Sequence, residues 1–160
     1  MAVAAAFANT PLLLDTDVFT DWRGQRPHTV SAVNNYSKQT KSFPMLAAIT
    51  VFESQFGFEN ESVKPGGLPA RLVKERDDME QLIRTCGVLD FNQLAANIAA
   101  YIFARLSKSQ RNKHWCDVFI VATALAHGYG VATRNRRDFE MIGQHLPPSA
   151  PILYLAIWKS

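Results

Sequence analysis

The sequence has no long hydrophobic run: none of its 160 residues belongs to the stretch of about 20 apolar residues that a membrane helix needs. The apolar opening MAVAAAFA is too short to span a bilayer and carries no basic leader, so neither secretion nor membrane insertion is expected. Cysteine is scarce as well. Cys86 and Cys116 are the only two, they stand in unrelated contexts, and neither belongs to a CxxC or Cys/His spacing that would hold zinc; a reducing cytoplasm is the simplest setting. The four histidines, His28, His114, His127 and His145, are scattered without a zinc-ligand spacing, and His127 falls where a helix should end. No internal repeat, low-complexity tract or linker divides the chain, so one domain over residues 1–160 is expected. Charge of one sign is also lacking. A net +3 with a pI near 9.0 hints at a polyanionic partner without requiring one.

What is present suits one core: 48% of residues are apolar and 19% charged, enough to bury a single core and not two. Residues 12–14 read as a short buried strand. Helical segments follow at 18–22 and 30–39, separated by Gly24 and Pro27. A second strand at 45–49 ends at Thr50, and helical spacing resumes over 51–58 around Glu53. Pro65, Gly66 and Gly67 make a turn, and 72–84 is an amphipathic helix with Leu72, Met79, Leu82 and Ile83 inward. Val88 and Leu89 form a brief strand, Asp90 and Asn92 cap a helix over 93–106, and a basic loop, RLSKSQRNKH, leads to an apolar helix opened by Asp117. Gly128 and Gly130 end that helix before a strand at 131–133, and Pro147, Pro148 and Pro151 deliver a last strand at 152–157. This alternation predicts an α/β fold, a parallel sheet of four to five strands flanked by helices.

In a parallel sheet the strand ends converge, and the acids fall at such ends. Asp15 follows the first strand, Glu53 lies one turn into the helix after the second, Asp117 begins a helix, and Asp138 follows the strand at 131–133. Each has a plainer role to weigh. Asp15 and Asp117 are in position to cap helices, Glu53 to be solvated, and Asp138 to cap or to pair with Arg136 or Arg137. Gathered in one pocket, however, four carboxylates repel unless a cation sits among them, and a hard divalent ion such as Mg²⁺ or Mn²⁺ resolves the conflict. Arg105, Lys108, Arg111, Lys113 and His114 form one basic cluster, ordinarily a solvated helix end and its loop. Arg134, Arg136 and Arg137 form another, which shares its segment with acids and is read as functional.

The segments LLLDTDVFT, AAITVFES, DVFIVATALAHGYGVATRN and NRRDF, in this order and spacing, resemble the PIN-domain ribonucleases, with the closest look to VapC-type toxins of toxin–antitoxin pairs. The resemblance covers nearly the whole chain and implies an α/β/α sandwich with Asp15, Glu53 and Asp117 as the first three acids. The fourth position, just after Thr133 and Arg134, holds Asn135, and the next carboxylate is Asp138. The resemblance further implies a Mg²⁺- or Mn²⁺-dependent endoribonuclease that acts through a metal-bound water, a cognate antitoxin and a homodimer. On that basis Asp15 and Asp117 are the expected primary metal ligands, and Glu53 and Asp138 act directly or through water. Thr16, Thr50 and Thr133 would support the acids, Asn135 would position phosphate or water, and Arg134, Arg136 and Lys113 would meet phosphates. Trp22, Tyr36, Phe56 and Phe58 look exposed enough for another chain to cover.

Two other classes compete. A haloacid-dehalogenase-like phosphatase would also use an Asp-x-Asp after its first strand, but Val18, Phe19 and Thr20 follow Asp17 where that family wants Gly or Thr. A non-catalytic module that binds RNA or protein would not need Asp15, Glu53 and Asp117 together.

Overall fold

The computed structural model describes residues 2–159; Met1, which begins the apolar opening, and Ser160 lie outside the described residues. Short apolar strands alternate with helices, and a strand that returns beside its predecessor through a helix must run parallel to it. The strands are β1 (Val3–Ala5), β2 (Leu12–Leu14), β3 (Met45–Ala47), β4 (Val88–Leu89), β5 (Gly130–Thr133) and β6 (Leu153–Ile157). They form one sheet in the order β1-β6-β5-β2-β3-β4, with every neighbouring pair parallel. The helices are α1 (Thr16–Arg23), α2 (Pro27–Thr40), α3 (Ala48–Ser62), α4 (Ala70–Cys86), α5 (Gln93–Arg105), α6 (Lys108–His127) and α7 (Arg136–Gly143).

All three residues of β2 are buried because both faces of the sheet are covered. Successive side chains point to opposite faces. Leu13 therefore joins Ile102, Ile120, Phe139 and Leu153 on one side, while Leu12 and Leu14 join Phe19, Leu46 and Met79 on the other. The expected inner face of α4 holds: Met79 is buried and Leu72, Leu82 and Ile83 pack beside it.

Several expectations are corrected. The sheet has six strands where four to five were expected, and the unforeseen one is β1, built from the apolar opening. Alanines are poor strand formers, so nothing local marks Val3–Ala5; pairing with β6 and the close seat of α7 hold it. A Cβ added at Gly143 of α7 would lie 2.1 Å from Val3 Cγ2, so only glycine lets the helix approach. Helix α7 itself was not foreseen. The strand expected over 45–49 stops at Ala47, with Ile49 and Thr50 already in α3.

The basic stretch expected as a loop forms the first turns of α6. Ser107 accepts from the Gln110 N–H at 3.1 Å, and the Gln110 side chain accepts from the Ser107 N–H at 2.9 Å, a reciprocal cap that starts the helix before the basic residues. Asp117 caps no helix, but it stands in the first turn after a kink at His114 where the apolar part of α6 restarts, close to the opening expected there. The chain leaves helical geometry within α6 at His114 (φ −118°, ψ 16°) and ends the helix at Gly128 in the left-handed region. Of the four aromatics expected at the surface, Trp22, Tyr36 and Phe58 are core, and Phe56 alone is exposed. Phe52 and Trp115 are exposed beside it, with Phe52 stacked on Phe56 and edge-on to Trp115.

Candidate active site

Strand β2 leads to β3 and β4 on one side, whereas β5 and β6 lie on the other. The order reverses between β2 and β5, and the crevice outside their carboxyl ends is where open sheets of this kind hold ligands. Asp15 stands there, directly after β2, with its N–H donating to the Ala132 carbonyl at 3.0 Å. Its side chain is occupied on both oxygens. Oδ1 accepts the Val18 N–H at 2.7 Å and so caps α1, and Oδ2 accepts the Thr133 hydroxyl at 2.6 Å. Capping and a site role are compatible here, since each carboxylate oxygen has two lone pairs. Burial pushes the Asp15 carboxyl up to about 7; the bonds from Thr133 and Val18 oppose the rise, and the charges of Asp17 and Asp117 add to it.

Glu53 reaches the same crevice from α3. Thr16, at the start of α1, donates to Glu53 Oε1 at 2.6 Å and lies 3.3 Å from the Thr50 hydroxyl. Thr16 and Thr133 thus support acids as expected, while Thr50 touches Thr16 and no carboxylate. Cys116, on α6, lies beside Glu53; burial, with Glu53 and Asp117 adding, holds its thiol far above the ordinary range. That thiol is inert.

Asp117 lies one residue further along α6. Burial raises its carboxyl to about 6, Asp138 and Asp17 push the same way, and His114 opposes them. Asp138 sits in the first turn of α7 and accepts from the Asn135 amide, whose backbone N–H in turn donates to the Thr133 hydroxyl at 3.0 Å. Asn135 and Asp138 are therefore not rivals for the fourth position; they form one unit. Asp138 pairs with neither Arg136 nor Arg137. Arg136 reaches Glu140 at 3.7 Å on the exposed side of α7.

His114 is the residue that the sequence reading passed over. It is buried, and its Nδ1 lies 3.3 Å from Asp117 Oδ2 and 3.9 Å from Asp138 Oδ2. The signal was the i, i+3 spacing of His114 and Asp117, which places two side chains on one helix face; it was lost once the segment was taken for a loop. Among the described residues, the atoms of His114, Asp117 and Asp138 form a group within 4.8 Å of one another, and Asp15 and Glu53 stand outside it.

The basic residues divide. Arg134 donates to Asp21 at 2.9 Å and approaches Asp17 at 4.0 Å, so it ties the end of β5 to α1. Asp21 is buried and also faces His28 at 3.8 Å. The guanidinium expected at a phosphate is thus engaged in the fold. Arg136 and Lys113 remain exposed. Sequence reasoning also missed Arg23, half-buried over Phe19 and Phe58, which lines a cavity of about 300 Å³ together with Thr16 and Glu53.

Burial raises the Asp15 and Asp117 carboxyls, and a cation beside them would favour their ionised forms; His114, Asp117 and Asp138 together offer donor atoms for a metal ion. Fold and crevice together define an α/β protein that gathers acids from separate elements at a strand-order reversal.

The PIN-domain family model matches residues 12–143, and the chain belongs to that family. It is 33% identical over 134 residues to a VapC ribonuclease, Y4jK, of Sinorhizobium fredii, covering 82% of this chain and 92% of that protein. Its fold is similar to that in DNA-bound VapBC from Salmonella typhimurium, at TM-score 0.69 and 22% identity over 94% of this chain and 99% of the other. FitAcB from Neisseria gonorrhoeae superposes at TM-score 0.57 and 25% identity, over 93% of this chain and 99% of the other.

Proposed function

We propose that this PIN-domain protein is the toxin of a toxin–antitoxin pair, a Mg²⁺- or Mn²⁺-dependent endoribonuclease that hydrolyses RNA phosphodiester bonds. The observation that carries the reading is the neighbourhood of Asp15, Asp117 and Asp138, in which Asp117 adds to the rise at Asp15 and Asp138 to the rise at Asp117, with Glu53 held beside Asp15 by Thr16. The likeness to the Sinorhizobium ribonuclease supports the activity, and the likeness to VapBC supports an antitoxin partner.

Asp15, Asp117 and Asp138, the last steadied by Asn135, would hold the ion. When bound, the ion supplies a water of lowered pKa and offsets charge on the phosphoryl oxygens. Thr16 fixes Glu53 through Oε1 and leaves Oε2 to orient the attacking water and accept its proton. Lys113 and Arg136, both exposed, would meet phosphates of the bound RNA, and Arg134 ties β5 to α1. A second copy of the chain covers Phe52, Phe56 and Trp115, which predicts a dimer in sedimentation. The protein works in the cytoplasm, a setting with which two free cysteines agree. No helix among the described residues is long and apolar enough to cross a membrane.

The test is cleavage of total cellular RNA by purified protein with Mg²⁺, Mn²⁺ or chelator, wild type beside Asp15→Ala and Asp117→Ala. Metal-dependent cuts at discrete sites, lost in both variants, are expected. Folded, antitoxin-free protein that cuts nothing would point instead to a module that binds without cleaving.

A further inference from the structure

An oxygen-only cation site has no use for histidine, yet His114 stands against two of the acids. It is 6% exposed, and its Nδ1 faces Asp117 Oδ2 at 3.3 Å and Asp138 Oδ2 at 3.9 Å. A charge-assisted His–Asp bond closes to about 2.7–2.9 Å, so neither contact is a tight ion pair. Ligand atoms in adjacent positions around one octahedral ion, each about 2.1 Å from it, stand about 3 Å apart. All three atoms here lie within 4.8 Å of one another, against about 4.2 Å for opposite positions around such an ion, so binding would draw them slightly inward. Asp117 and Asp138 alone would be an ordinary acidic cluster; the buried imidazole nitrogen aimed at both is an independent group. The change of backbone at His114 sets its ring there, and the Asn135 amide steadies Asp138 opposite.

We propose that His114 Nδ1 is a ligand of the divalent ion, together with Asp117 and Asp138, and that it biases this protein toward Mn²⁺ over Mg²⁺. The inference rests on the metal-dependent reading above. Its chemical basis is ligand type: carboxylate and water suit either ion, whereas Mg²⁺ keeps to oxygen donors and a nitrogen donor favours a first-row transition metal over it.

The experiment titrates Mn²⁺ into the metal-free full-length protein, follows binding by electron paramagnetic resonance, and examines bound Mn²⁺ for nitrogen-14 spin-echo modulation. Wild type should show modulation from one imidazole. In His114→Gln, Mn²⁺ should still bind through the carboxylates, without modulation and roughly tenfold to a hundredfold more weakly, while Mg²⁺ affinity, read by competition, changes far less. His114→Asp, which returns an oxygen ligand, should bind both ions without modulation and with the preference gone; it also serves if the glutamine variant does not fold. Mn²⁺ bound to wild type with no nitrogen modulation overturns the inference and leaves the metal-dependent nuclease standing. Wild type that binds neither ion overturns both.

Discussion

Replacing Asp15 by asparagine should stabilise the metal-free protein, increasingly so as pH rises. Burial moves this carboxyl from 3.8 to about 7. The folded state holds the proton more tightly than the unfolded chain, so the associated stability is fully present below about 3.8, declines as pH rises, and is lost above about 7. Relative to a group that never ionises, the penalty is below about 2 kcal/mol at pH 5 and about 4 kcal/mol at pH 8.5. Asparagine keeps an oxygen for the Val18 N–H and an amide for Thr133, and any fixed cost of the exchange is the same at both pH values. The advantage of Asp15→Asn should therefore grow by about 3 kcal/mol between them, or roughly 6–12 °C in melting temperature for a chain of this size. The assay is thermal unfolding by circular dichroism in chelator from pH 5 to 8.5. Added Mn²⁺ should stabilise wild type, by about 2.7 kcal/mol at a hundredfold excess over its dissociation constant, and the variant much less. A difference between the two proteins that stays constant with pH would refute a buried, neutral Asp15.

Three further outcomes follow from the contacts around it. Thr133→Val leaves Asp15 Oδ2 and the Asn135 N–H without the hydroxyl that joins them, and urea unfolding should show a loss of about 1–3 kcal/mol; an unchanged midpoint would contradict the link. Arg134→Met strands the buried Asp21 carboxylate and should cost about 2 kcal/mol, whereas Arg136→Ala, on the exposed side of α7, should stay within about 0.5 kcal/mol. Equal losses would undo the distinction between a guanidinium that holds the fold and one that faces solvent. Gly143→Ala drives a methyl into Val3 and should destabilise by about 1–3 kcal/mol, with Val3→Ala in the same chain recovering much of the loss. Strict additivity of the two changes would mean that they do not touch.

The parts of the fold legible in the sequence are those whose cause is local. Leu12–Leu14 announces a strand buried on both faces because three consecutive leucines leave no polar side. Gly128 announces the end of α6 because its left-handed conformation suits glycine. Strand β1 carries no such mark. Its existence depends on β6, some 150 residues away, and on the missing side chain of Gly143, and neither is visible from Val3 to Ala5. Tyr36 and Trp22 were misjudged for the same reason: the Tyr36 hydroxyl accepts from the Leu12 N–H at 3.0 Å, a contact across the fold that helical spacing does not encode.

The site divides along the same line, with one instructive failure. Asp15, Glu53 and Asp117 were singled out because strand ends and the helices after them deliver side chains to one edge of a parallel sheet. Arg134 was read as a phosphate contact, and a cation beside an acidic crevice serves equally well as a phosphate contact or as a clamp. The buried Asp21, from α1, supplies the clamp, a contact across the fold that the sequence does not display. His114 was different, since the information was local and present. Ser107 and Gln110 formed a legible capping box, and recognising it would have started the helix at Lys108 and brought His114 out of the supposed loop to within one turn of Asp117. Misreading one helix start hid a nitrogen donor and left four carboxylates to account for the chemistry. One helix start thus decided whether imidazole was counted among the donors that a cation would meet here.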